Sequence, residues 1–113
     1  MNLHEYQSKH LFEQYGMPVP NNRVVNTAGD VHAALDFPEG NKWVVKAQVH
    51  AGSRGKAGGV KLVHSLDEVR AEANRMLNMK ISPYQTGGLS MPVDSVLIAE
   101  ALDIKTELYL SAL

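Results

Sequence analysis

Residues 43–63, WVVKAQVHAGSRGKAGGVKLV, constrain this chain more than any other stretch: a β-type run, a glycine-and-cation loop, then a second β-type run. Alternation in the first run assigns Trp43, Val45 and Ala47 to one sheet face and Val44, Lys46 and Gln48 to the other. Two such runs about a glycine-rich connection predict an antiparallel hairpin. Four of the 11 Lys and Arg (Lys46, Arg54, Lys56 and Lys61) fall in this stretch, and none of the 12 Asp and Glu. Backbone freed by Gly52, Gly55, Gly58 and Gly59 can turn its N–H groups toward one point, and cations beside them suit a polyphosphate. The spacing is neither a Walker A loop nor a dinucleotide GxGxxG, and here a strand rather than a helix follows the loop. A solvated turn shares this composition. Lys46, an ionisable group projecting from a sheet, favours an anion site.

The flanks predict an α/β chain of the α+β kind. Asn2 with Glu5 three positions on reads as a capping box, and Leu3, Tyr6, His10, Leu11 and Tyr15 recur near a helical turn until Gly16 stops the helix. Residues 23–25 suggest a strand. Thr27 and Asp30 repeat the cap signature before a short helix that Pro38 and Gly40 break. Ser65 and Glu68 open a third helix with the stripe Leu66, Val69, Ala73, Met76 and Leu77. Residues 80–92 read as a turn-rich connection, 93–101 as a strand ending at the acid Glu100, and 107–113 as the start of another β-type run.

With 113 residues the chain matches one small domain with a modest core. A formal net charge of −1 argues against a nonspecific nucleic-acid or anionic-membrane surface, so an anion site has to be local. Without cysteine there is no disulfide, thiolate metal site or thiol nucleophile. The opening MNLHEYQSKH lacks the apolar core of a leader peptide, and no apolar run approaches membrane-spanning length, so a cytoplasmic setting is expected. Histidines 4, 10, 32, 50 and 64 are scattered without metal-ligand spacing, and no Ser-His-Asp arrangement is visible. No catalytic or metal-ligating residue is assigned, although His50 borders the loop.

Three segments, MNLHEYQSKHLFEQYGMPVP, VVKAQVHAGSRGKAGGVKLV and AEALDIKTELYL, resemble in order the β subunit of succinyl-CoA synthetase, the ADP- or GDP-forming succinate–CoA ligase. The resemblance implies an ATP-grasp fold, mostly antiparallel sheet with flanking helices, truncated before its second subdomain is complete. Residues 21–102 would form the first subdomain, with 1–20 and 103–113 belonging to the second. It also implies site residues: Lys46 on the nucleotide phosphates, Ser53, Arg54 and Gly55 closing over them, Glu100 and Leu102 in the hinge that meets the purine, and Glu107 on the ribose hydroxyls.

The implied cofactors are ATP or GTP, a choice the sequence leaves open although Pro20, near where the family discriminates bases, leans toward ATP, and Mg²⁺, whose ligands would lie beyond residue 113. The implied reaction is the tricarboxylic acid cycle interconversion of succinate, CoA and NTP with succinyl-CoA, NDP and phosphate. Its phosphohistidine and CoA site belong to a partner α subunit, so none of the five histidines is assigned that role, and half a nucleotide site without its metal ligands is expected to be inactive alone. An apolar tail at 108–113 invites self-association. A malate–CoA ligase β chain or a related acyl-CoA synthetase would share these motifs, and a noncatalytic anion-binding module would share the basic hairpin.

Overall fold

Strand β2, Trp43–Gln48, forms where the alternation predicts it, with Trp43, Val45 and Ala47 buried. The computed structural model describes residues 3–27, 30, 42–50, 58–81 and 91–111. Strand β3, Val60–Val63, pairs antiparallel with β2 in the register Trp43↔Val63 and Lys46↔Val60. One further bond, Ala47 N–H to the Gly59 carbonyl at 2.7 Å, extends this ladder toward the loop. The expected hairpin is therefore present, while loop residues 51–57 lie outside the described residues.

Strand β6, Ser95–Glu100, is buried along nearly its whole length, as an apolar run in a central strand should be. It lies between β1, Asn22–Val25, and β2, giving a four-stranded antiparallel sheet in the order β1-β6-β2-β3. Lys80–Ile81, β4, and Met91–Pro92, β5, form a two-residue antiparallel ladder at the ends of the expected turn-rich connection, whose residues 82–90 lie outside the described residues.

Helix α2, Leu66–Leu77, covers one face of the sheet. Ser65 Oγ caps it by accepting from Glu68 N–H at 3.2 Å, and Glu68 reaches back to His64 N–H at 3.0 Å, one residue before the partner a capping box would use. Its Val69, Ala73 and Met76 join Val25, Val45, Ala47, Val63, Val96 and Ile98 in the core. Each large aliphatic side chain buried there contributes roughly 1.5–3 kcal/mol.

Helix α1, Glu5–Gln14, lies toward the opposite face, and its start differs from expectation. Asn2 lies outside the described residues, and the N-cap position is taken by His4, extended at φ −70° and ψ 157°. Gln7 supplies the reciprocal acceptor, its Oε1 taking the His4 N–H at 2.8 Å. The end is as expected: Gly16 at φ 77° follows the last turn, with Gly16 N–H on Glu13 and Met17 N–H on Phe12 at 3.0 and 2.9 Å, the two bonds of a Schellman motif. No residue of α1 is buried, and Leu11, Phe12 and Tyr15 are exposed, so the apolar stripe finds little to cover it.

What ties α1 to the sheet is polar. Gln48, fully buried, accepts from Tyr6 N–H at 3.1 Å through Oε1 and donates to the Lys46 carbonyl at 3.3 Å. Thr27 and Asp30 exchange the expected cap bonds at 3.1 and 3.3 Å, but the helix they would open lies outside the described residues. Residues 107–111 form no strand, and Leu108, Tyr109 and Leu110 are more than nine-tenths exposed. A strand exists only where its backbone pairs with another edge, and this segment pairs with none among the described residues.

Candidate functional site

The sheet face opposite α2 carries a cleft of about 450 Å³, within the usual range for small-molecule sites. Val44, Val60, Leu62 and Ala99 give it an apolar wall. The register explains their grouping, since Val44 stands opposite both Leu62 and Ala99, and Lys46 opposite Val60. Three lysines line the same cleft: Lys46 from β2, Lys42 just before it, and Lys9 from α1. Residues Glu100, Ala101, Leu102 and Ile104 complete it as the chain leaves β6.

That exit is held on both sides. Glu100 N–H donates to the Asn21 carbonyl at 3.0 Å, its carboxylate accepts from Asn21 N–H at 3.4 Å, and Ala101 N–H donates to the Lys42 carbonyl at 3.1 Å. Beyond it, Lys42 Nζ meets Asp103 Oδ1 at 2.8 Å. This hydrogen bond, and secondarily the ammonium charge, lowers the Asp103 carboxyl below the ordinary aspartate range. A depressed folded-state value means the contact is present above the ordinary aspartate titration and is lost as pH falls through the lowered one. Carboxyl NMR is expected to find Asp103 titrating below a free aspartate, and Lys42→Ala to return it to the ordinary range. An unshifted wild-type Asp103 would remove this tether.

Lys46 Nζ sits 2.9 Å from Glu5 Oε1, and Lys9 Nζ is 3.4 Å from the same oxygen. The structure thus brings Lys46, Glu100 and Leu102 of the expected site residues into one cleft. Glu107 is not among them; it borders a separate surface hollow with Ile104, Thr106, Leu108 and Tyr109. Ser53, Arg54 and Gly55 lie outside the described residues, although the strands carrying their loop are those that line the cleft. Lys9, Lys42 and Glu5 were not legible as site residues. The i,i+4 spacing of Glu5 and Lys9 was visible, but nothing in sequence links Glu5 to a lysine 41 positions away. Among the described residues no group of three His, Cys, Asp or Glu side chains could hold a metal ion, and no helix is long and apolar enough to cross a membrane.

An apolar wall beside convergent ammonium groups suits a ligand with a flat ring at one end and anionic oxygens at the other. Comparison with known proteins agrees with that chemistry. The ATP-grasp domain family matches residues 2–113. The β subunit of an ADP-forming succinate–CoA ligase from Hydrogenovibrio crunogenus is 50% identical over 98% of this chain, and one from Haemophilus influenzae 51% identical over 99%. The chain spans only 28% and 29% of the length of those relatives. Among solved structures, a phosphoribosylamine–glycine ligase from Thermotoga maritima shares the fold at TM-score 0.64 and 21% identity, over 90% of this chain and 23% of that one. A dinucleotide-forming acetyl-coenzyme A synthetase from Candidatus Korarchaeum cryptofilum does so at TM-score 0.65 and 22% identity, over 91% of this chain and 44% of that one.

Proposed function

Because this chain belongs to the ATP-grasp family, we propose that it is the nucleotide-binding portion of the β subunit of a succinate–CoA ligase. The observation that carries the reading is the cleft in which Lys46 faces an apolar wall and the chain segment leaving β6. In this reading ATP lies across the exposed sheet face. The Lys46 ammonium neutralises phosphate oxygens as a point charge, and Ser53, Arg54 and Gly55 close over them from the hairpin loop. Backbone groups at Glu100 and Leu102 meet the purine, because their strand end is held by Asn21 and Lys42. Glu107 accepts from the ribose hydroxyls once residues 103–111 pack against the second subdomain, to which residues 1–20 also belong.

The whole enzyme then interconverts succinate, CoA and ATP with succinyl-CoA, ADP and phosphate in the cytoplasm, together with an α subunit. Bound ATP supplies the phosphoryl group. Such transfer rests on positioning and charge neutralisation, which is what a lysine pre-set on a strand contributes. No step is assigned to Mg²⁺, for which the described residues offer no ligand set.

Titrating the chain with Mg·ATP, Mg·GTP, adenosine and inorganic tripolyphosphate, followed by amide NMR, tests the reading. Mg·ATP is expected to bind at one saturable site, tighter than Mg·GTP or tripolyphosphate, with shifts at Lys46, Val60 and residues 99–102. Equal binding of ATP and tripolyphosphate, with shifts confined to residues 51–57, would instead mark a simple anion surface.

A further inference from the structure

Lys9 stands where an ordinary surface lysine would not. A lysine four residues after a glutamate usually makes a weak, solvated helical pair. Here the Lys9 side chain is only 18% exposed, lines the cleft, and shares its carboxylate oxygen with Lys46. The two ammonium groups can be no farther apart than their two bonds to Glu5 Oε1 laid end to end. Like charges held that close repel, and one carboxylate carries too little charge to neutralise both. Lys42, the third lysine of the cleft, is already engaged by Asp103. Both lysines border the ligand space while Glu5, their shared partner, does not line it.

We propose that Lys9 is a second phosphate-binding residue, acting beside Lys46, and that Glu5 is the resident counter-anion both lysines exchange, in part, for phosphate oxygens. The proposal rests on the nucleotide reading of the cleft. It adds a contact from α1, an element the sheet holds through Gln48 and Tyr6, and so couples the seating of that helix to occupancy of the site. No bond is made or broken covalently; the ligand replaces one ionic partner by another.

Calorimetric titration of the chain with Mg·ATP, inorganic tripolyphosphate and adenosine tests this in wild type, Lys46→Met, Lys9→Met, Lys9→Arg and Glu5→Gln. Loss of one charge-assisted contact corresponds to roughly a tenfold change. Lys9→Met is expected to weaken Mg·ATP and tripolyphosphate by about that factor and to leave adenosine unchanged, whereas Lys9→Arg retains most of the affinity. Glu5→Gln removes the competing carboxylate and is expected to strengthen both phosphate ligands. If Lys9 served only its helical pair with Glu5, Lys9→Met and Glu5→Gln would shift affinity alike or not at all, and that result would overturn the proposal. Sensitivity to Lys46→Met with none to Lys9→Met sinks it while leaving the nucleotide reading intact. A wild-type chain that binds none of the three ligands sinks both.

Discussion

Replacing Lys46 by methionine is expected to weaken Mg·ATP binding by roughly 10- to 100-fold, the range set by losing one or two hydrogen bonds to a charged group. Methionine keeps an unbranched stem of similar reach beside Val44 and Val60, which line the same cleft, so the charge is what changes. The fold should hardly respond. Lys46 lies on the sheet face opposite α2, and the pair it forms with Glu5 is partly solvated, with side-chain exposures of 25% and 22%. Glu5 keeps Lys9 as an ionic partner when Lys46 is replaced, so the stability cost is expected to be about 1 kcal/mol. Calorimetry beside a thermal melt separates the two effects. An unchanged affinity would deny Lys46 the phosphate role.

Met76→Ala is expected to destabilise the chain by about 2–5 kcal/mol, the cost of removing a large buried side chain and leaving a partial cavity. Met76 is fully buried and belongs to the cluster that seals α2 against the sheet. Against a total of roughly 5–15 kcal/mol for a domain of ordinary stability, that loss is large enough to populate unfolded chain. Leu66→Ala on the same helix is the control, because Leu66 is 37% exposed and its truncation should cost about 1 kcal/mol or less. Urea unfolding measures both. Similar midpoints for the two variants would mean that α2 does not pack as described.

The helical stripe behind the second prediction was readable in advance, although not uniformly. Of Leu66, Val69, Ala73, Met76 and Leu77, the middle three are buried, while Leu66 at the first turn is exposed and Leu77 is partly buried against the core. In α1 the same kind of reading gave a helix without a core to bury it in. Period alone cannot say whether a neighbour exists, and Leu11, Phe12 and Tyr15 stay exposed. The start of α1 differs from its expected position for a related reason. Asn2 and Glu5 have capping-box spacing, but so do His4 and Gln7, and Gln48 accepting from Tyr6 N–H adds a constraint on the first turn that only long-range contact supplies.

Local chemistry dictated what local chemistry controls: the parity of β2 that sends Lys46 away from Trp43, the Gly16 stop, the Ser65 cap and the hairpin. Those depend on backbone preference and on side chains a few residues apart. Only the tertiary structure decided that Lys46, Lys9 and Glu5 meet, that Glu100 and Leu102 join them, and that Glu107 stands apart. Strand order and helix docking bring together residues tens of positions apart, and no residue's own propensity encodes which distant partner it will find. The unpaired segment at 107–111 is the converse case: a β-type pattern becomes a strand only where another edge accepts its hydrogen bonds.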